Sequence, residues 1–193
     1  MRCASSKTSA AVRQPCISDI HGCRTAAEVF EEAYRIHQPD AILCLGDVLY
    51  HGPRNPVPEN HDPKEVARIL NQYADRILAV RGNCEAEVDG LMLEFPYNAE
   101  YSSFLLGDRR VFMTHGHIYG PDNIPKLRTG DILLYGHTHL PDVSTRNGIF
   151  TLNPGSLTFP KENHPKSYAV LTDNSFTIYD TEHRIYQNIA FAE

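Results

Sequence analysis

The chain has 193 residues, 41% hydrophobic and 22% charged, and no apolar run approaches the roughly 20 residues that a membrane-spanning helix needs. A formal net charge of -6 excludes the basic footprint of non-specific nucleic-acid binding, and five cysteines without CxxC spacing exclude a disulfide framework and a zinc ribbon. What remains is a soluble globular protein with reduced thiols, of a size that fits one domain burying roughly 70% of its unfolded surface.

The first fifteen residues, MRCASSKTSAAVRQP, are basic and rich in Ser and Ala but hold no apolar h-region. They do not read as a secretory signal, and a cytoplasmic location is the default expectation. After SDIHG, residues 25–37 place Ala26, Val29, Phe30, Ala33 and Ile36 at helical spacing, with Thr25 and Glu28 in a capping-box pattern. DAILCLGD reads as a short apolar strand ending in Gly-Asp, and the Pro-rich HGPRNPVPENHDP at 51–63 reads as a functional loop. Asp62 and Pro63 then supply an N-cap and a first-turn proline for a second helix, predicted to run to about Tyr73. RILAV, RVFMT and DILLY are further strand-like runs, and hairpin turns are expected at Gly107-Asp108, Asn147-Gly148 and Asp173-Asn174. The first half thus reads βαβαβ and the second mostly β, which suggests an α/β sandwich of sheets with helices on their outer faces.

Five apolar runs end in a residue able to bind a metal: Ile17 leads to Asp19-x-His21, Leu45 to Asp47, Val80 to Asn83, Met113 to His115, and Tyr135 to His137-x-His139. Ligands of α/β sheets collect outside the carboxyl ends of strands, so five such ends can converge on one cleft. Residues i and i+2 point the same way from a pleated backbone, so each Asp-x-His or His-x-His pair is expected to face one site from an extended strand end. Each motif alone is weak and is most often an ordinary polar loop. Their repetition after successive strands is the signal.

In order, SDIHG, GDVLYHG, RGNCE, THGH and GHTH resemble the signature of the calcineurin-like metallophosphoesterases over Ser18 to about Ser156. HGPRN, GHTHLP and NPGS make the chain most similar, within that superfamily, to the small bacterial YfcE-type phosphodiesterases. The resemblance implies an αββα four-layer sandwich, two mixed β-sheets flanked by helices, around a binuclear centre. It implies that Asp19, His21 and His139 hold one metal, that Asn83, His115 and His137 hold the other, and that Asp47 bridges them. The donor set lacks sulfur and is compatible with Mn²⁺, Zn²⁺, Fe, Co²⁺ or Ni²⁺, with Mn²⁺ the ion the family likeness implies. The implied reaction is hydrolysis of a small phosphodiester by in-line attack of a metal-bridging hydroxide, without a covalent intermediate. Two rivals accompany it: a protein-binding scaffold on the same fold, as in the similar retromer subunit, and a phosphomonoesterase. Loops 50–63 and 117–127 are where specificity is expected, and edge strands in the tail are the parts able to pair in a homo-oligomer.

Many relatives carry His where this chain has Cys84. The thiol is expected to be a bystander rather than a ligand, nucleophile or acid, and loss of imidazole there is expected to favour substrates with good leaving groups. His51 falls where phosphatases of the superfamily carry Arg, which suggests a phosphate contact, with a polar loop residue as the plain alternative. Arg54 offers a forked guanidinium to a phosphate oxygen or is an exposed loop residue. His117 is expected at the site, as a phosphate contact or as a support for the ligands. His37, His61, His164 and His183 read as surface residues, and Cys16 and Cys44 as small buried hydrophobes in strands. Arg13, Gln14 and Pro15 stand where relatives have an apolar central strand. Two readings follow: a strand shortened to about Cys16–Ser18, or an N-terminal segment foreign to the fold. Residues 1–15 are accordingly set apart as an atypical, potentially disordered segment, and 16–193 as a single metallophosphoesterase domain.

Overall fold

The computed structural model describes residues 12–191. In chain order they form β1 (Arg13–Ile17), α1 (Arg24–His37), β2 (Ile42–Cys44), α2 (Pro63–Asn71), β3 (Ile77–Ala79), β4 (Tyr101–Leu106), β5 (Arg109–Thr114), β6 (Ile132–Leu134), β7 (Pro141–Arg146), β8 (Ile149–Pro154), β9 (Ser167–Thr172), β10 (Ser175–Asp180) and β11 (Ile185–Ala190). One sheet has the order β11-β10-β9-β1-β2-β3 and the other β4-β5-β6-β8-β7. Both are mixed. β1, β2 and β3 run parallel in the first, β5, β6 and β8 in the second, and antiparallel strands complete each sheet.

Alternation along the parallel strands explains the layers. Cys16 and Leu43 point into the core between the sheets, with Leu45, Val111, Met113, Ile132, Leu134, Leu152 and Phe176. Ile17, Ile42, Cys44 and Ile77 point the other way, onto Ala26, Phe30 and Ala33 of α1 and Val66, Ile69 and Leu70 of α2. Strands buried on both faces need unbroken apolar runs, which is why β2 and β6 read so plainly in the sequence. Both helices pack on the six-stranded sheet. The outer face of the five-stranded sheet, with Phe112, Leu133, Tyr135 and Ile149, is covered by Tyr119, Ile124 and Leu127 of a loop rather than by a helix. Among the described residues no helix is long and apolar enough to cross a membrane.

Several local expectations need correction. The capping box of α1 is not formed: Cys23 is the N-cap without a side-chain bond, and Thr25 lies inside the helix, where its Oγ1 accepts a bond from Asn60 Nδ2 at 2.9 Å. Ile36, in the last turn, is 51% exposed because the core-facing stripe stops at Ala33. The predicted cap of α2 is present, with Glu65 N donating to Asp62 Oδ1 at 3.1 Å, but the helix ends at Asn71. Tyr73 turns its ring edge-on to Phe30 instead, with centroids 5.5 Å apart.

β1 begins three residues before the shortened strand of Cys16–Ser18 that one reading of the N-terminal segment gave. Arg13 to Cys16 pair with β9, whereas pairing with β2 starts only at Cys16. Pro15 therefore sits on a stretch that is laddered on one side only, the edge-like setting in which proline is tolerated. Residues 1–11 of the segment set apart as 1–15 lie outside the described residues.

Truncating a ring sealed beneath helices leaves a cavity, whereas trimming a solvent-facing Leu does not. Phe30 is 0% and Leu91 86% exposed. Phe30→Ala is expected to cost about 3–5 kcal/mol in urea unfolding, and Leu91→Ala less than about 0.5 kcal/mol.

Candidate metal centre

β1, β2, β3, β5 and β6 deliver Asp19 and His21, Asp47, Asn83, His115, and His137 and His139 to one end of the two sheets. All seven residues meet there. His139 Nε2 lies 3.1 Å from Asp19 Oδ1, and His21 Nε2 lies 3.3 Å from His139 Nε2 and 3.6 Å from Asp19 Oδ1. His115 Nε2 is 3.1 Å from Asn83 Oδ1, and 3.3 Å separates it from His137 Nδ1. Asp47 Oδ2 stands between these groups, 3.7 Å from His21 Nε2 and 3.4 Å from His115 Nε2. Asp19, His21, Asp47, His115 and His139 are buried, His137 is half-buried and Asn83 is exposed.

The pairs do not reach the site from a pleated strand, as the alternation argument expected. β1 stops at Ile17 and β6 at Leu134. Beyond them Asp19, His21, Asp47, His137 and His139 all have left-handed backbones, with φ of 56°, 51°, 54°, 65° and 61°. Such a conformation costs a non-glycine residue about 1–3 kcal/mol, and it persists only where surroundings over-determine it. Here the loops brace one another: Asp19 N donates to Gly46 O at 3.1 Å, His21 N to Asp47 O at 2.8 Å and Gly136 N to His115 O at 2.7 Å. Close approach also dictates Gly82 and Gly136. A Cβ on Gly82 would overlap the Asp47 and Glu85 carboxylates, and one on Gly136 would overlap Ser18 Oγ.

Hydrogen bonding decides which atoms are free for a cation. His21 Nδ1 contacts Tyr50 O at 2.9 Å, His115 Nδ1 contacts Leu45 O at 2.7 Å, and His139 Nδ1 contacts Phe159 O at 2.7 Å. A carbonyl only accepts, so each Nδ1 donates and each neutral ring turns a lone pair on Nε2 into the site. Asp19 Oδ2 accepts from Ser18 Oγ at 2.6 Å and His137 N at 3.0 Å, while Oδ1 is buried without a hydrogen-bond partner. Lone pairs facing one another, beside an orphaned carboxylate oxygen, fit a cation between them. Donors 2.1 Å from a common ion lie about 3.0–3.4 Å apart, and most of the separations above fall near that range. Asp19, His21 and His139 form one cluster able to hold a metal ion, and Asp19, Asp47 and His115 another.

The charge balance agrees. Burial opposes ionisation of Asp19, but the His139 and His21 imidazoles beside it hold its carboxyl well below the usual range. Burial likewise opposes charge on Asp47, and His115 overcomes it and lowers the carboxyl. His115, against its burial, is pushed up to about 9 by its bond to Asp47 and the charges of Asp19 and Asp47. These carboxylates draw positive charge into a dry place, and protons and a metal ion compete for it. His137 is pushed down to about 4 by burial and by His115, which keeps it a neutral donor.

Other predicted residues are dispersed. Arg54 lines a cleft of about 540 Å³ above the donors, with Asp47, Asn83, Cys84, His137 and His139. His117 is exposed, 5.4 Å from the His115 ring, and lines a neighbouring hollow with Arg81 and Asn83. His51 does not line the cleft. Its ring packs on Tyr50 and His61, with Nδ1 buried and unpartnered. Cys84 lines the cleft with its thiol raised by burial and by Asp47, and Cys16 and Cys44 are buried in strands as expected. His37, His61, His164 and His183 are half-buried rather than on the surface. Tyr168 OH sits 3.0 Å from His37 Nε2 and 2.9 Å from His183 Nδ1, and His164 pairs with Tyr186.

A model of the calcineurin-like phosphoesterase superfamily domain matches residues 15–175. Phosphodiesterase YfcE of Escherichia coli strain K12 is 46% identical over 161 residues, 83% of this chain and 88% of that protein. The solved structure of YfcE, a phosphoesterase from E. coli, aligns with a TM-score of 0.91 and 41% identity, covering 94% of this chain and 100% of the other. Vacuolar protein sorting 29 from Cryptosporidium parvum aligns at a TM-score of 0.64 and 21% identity, covering 95% and 99%, a likeness of fold alone.

Sequence reasoning missed the residues that hold the donors in place. Ser156 Oγ donates to Asp19 O at 2.9 Å, Thr158 Oγ1 to Ile20 O at 2.7 Å, and Asn153 Nδ2 to Gly136 O at 3.0 Å. The signal for two of them was the NPGS stretch. Glu85, next to Cys84, is buried, and its carboxyl clasps Val48 N at 2.6 Å and Gly82 N at 2.5 Å, tying the Asp47 loop to the Asn83 loop. Glu85→Ala leaves both N–H groups without an acceptor, at about 1–3 kcal/mol each. Its melting temperature is expected to fall by more than about 5 °C in a calorimetric scan, while exposed Glu87→Ala changes it by less than about 2 °C.

Proposed function

The chain belongs to the calcineurin-like phosphoesterase superfamily, and from that premise we propose that it is a metal-dependent phosphodiesterase with a binuclear centre. In this reading Asp19, His21 and His139 hold one divalent ion, Asn83, His115 and His137 hold a second, and Asp47 bridges them. One observation carries the proposal: Asp47 Oδ2 stands within 3.7 Å of His21 Nε2 and 3.4 Å of His115 Nε2, between the two sets of donors. Two such ions would supply an activated water for in-line attack on phosphorus and neutralise charge on the phosphoryl oxygens. Mn²⁺ is the ion proposed, and the oxygen and nitrogen donors also suit Zn²⁺, Fe, Co²⁺ or Ni²⁺.

The chain's own residues do the positioning. Braced backbones around Asp19, His21 and Asp47 fix the donors, so little reorganisation accompanies charge development. Arg54, in the cleft wall, is proposed to hold a phosphoryl oxygen through its guanidinium. His117 is proposed to support the His115 and His137 side from its hollow. His51 is proposed to stiffen the loop that carries Arg54, since its carbonyl accepts from Asn55 Nδ2 at 2.8 Å. Cys84 is proposed as a bystander in the cleft, its thiol kept protonated by burial and by Asp47.

Two measurements test this reading. With Mn²⁺ added, the protein is expected to hydrolyse bis-p-nitrophenyl phosphate in preference to p-nitrophenyl phosphate, to lose activity on chelation, and to lose at least about 100-fold in kcat on Asp47→Asn. Folded protein that turns over neither ester with any divalent ion would instead favour a binding scaffold. Cys84→His restores an imidazole beside the leaving group and is expected to raise rates on alkyl relative to aryl phosphodiesters by at least about tenfold. An unchanged ratio would show that residue 84 does not set leaving-group preference.

A further inference from the structure

We infer that the preferred substrate carries a second anionic group, of terminal-phosphate type, on the arm beyond the scissile phosphodiester, and that Lys161 receives it. This rests on the phosphodiesterase reading above. The cleft over the donors is walled by two separate loops, one bringing Arg54 and Asn55, the other Lys161. Asp47 is its sole acidic lining residue, and among the described residues neither Arg54 nor Lys161 is in an ion pair. The cleft thus carries two cations that are in no ion pair beside a single carboxylate, in a chain whose net charge is -6. A phosphodiester has a single negative charge, which Arg54 and the metal centre suffice to meet.

Lys161 is also built into place. Its backbone N donates to His139 O at 3.3 Å, and its carbonyl accepts from His164 N at 3.0 Å, closing a turn. Glu162 and Asn163 take φ of 53° and 62° inside that turn. Phe159, two residues earlier, stacks on the His139 ring with 9° between planes. The backbone that carries Lys161 is thereby fixed relative to the donors, whereas the four-carbon stem lets its ammonium adapt to a flexible arm. A compact, strongly hydrated ammonium suits a dianionic terminal group better than it suits the fixed fork geometry already supplied by Arg54.

The test compares two p-nitrophenyl phosphodiesters with identical alkyl arms, one ending in hydroxyl and the other in phosphate, using the Mn²⁺-loaded protein. The phosphate arm is expected to raise kcat/KM about tenfold, chiefly through KM, with the advantage shrinking as salt rises from about 0.05 to 0.5 M. Lys161→Gln is expected to abolish that ratio and Lys161→Arg to keep most of it. Phosphonate analogues, with carbon in place of the scissile ester oxygen, are expected to show the same ranking in calorimetric Kd, where no turnover intervenes. Equal kcat/KM for the two arms, a ratio that survives Lys161→Gln, or equal losses on both arms in Lys161→Gln and Lys161→Arg would overturn the inference. Bis-p-nitrophenyl phosphate in the same preparation separates the failures: if it is cleaved, only the inference falls; if it is not, the phosphodiesterase reading falls first.

Discussion

Two carboxylates kept charged beneath the surface are the constraint on which this architecture turns. Asp19 and Asp47 are 0% and 2% exposed, and burying an ionised group without partners is among the most costly things a fold can do. They are tolerable because each faces imidazoles and backbone N–H groups, and those partners come from different strands. Asp19 is met by His21, His139 and the backbone of His137, Asp47 by His21, His115 and the backbone of Cys84. The parallel order β1-β2-β3 facing β5-β6 is what puts those partners at one end of the molecule. A cation held among these lone pairs would add to that satisfaction, so the stability of such a site and its chemistry would be coupled.

The same constraint accounts for the backbone. Donors from a continuing strand would diverge with the sheet twist, so the chain turns sharply at each strand end. Five of the seven donors adopt left-handed φ values in those turns. Asp is among the residues that tolerate this region, and the mutual bonds of the loops hold it there. Glycines at 82 and 136 stand where two such turns touch. Rigidity at the metal centre is therefore built from loop against loop, with Glu85, Ser156 and Thr158 as the clasps.

Much of this was legible in the sequence because both cause and signal are local. β2 and β6 are buried on both faces and so read as apolar runs, and each donor follows such a run within a few residues. The turns at Gly107, Asn147 and Asp173 lie where composition put them. What escaped depends on partners distant in sequence. Thr25 failed to cap α1 because Asn60, 35 residues on, engages its hydroxyl and the N-cap falls two residues earlier, at Cys23. Pro15 looked fatal to a central strand, but β2 does not reach it. His37 and His183 looked like surface residues because Tyr168, between them in space, is far from both in sequence. Glu85 was in plain view beside Cys84, yet nothing local reveals that one of its oxygens reaches Val48 N, 37 residues away, while the other closes on Gly82 N of its own loop.

Recognition has a different physical basis from catalysis here. A pair of divalent ions would attract any phosphoryl group, so residues able to hold them carry little information about which ester would be cut. Discrimination has to come from groups that are neither donors nor their clasps, and in the cleft these are few. Arg54 and Asn55 come from the loop between β2 and α2, and Lys161 from the loop between β8 and β9. One of those loops is pinned to the metal centre through His139, and the other through Tyr50, whose carbonyl accepts from His21. Each loop is thus tied to one of the clustered histidines, His139 or His21. A substrate arm reaching them is read at fixed distance from the reacting phosphorus, which is how binding energy away from the scissile bond becomes usable for orienting it.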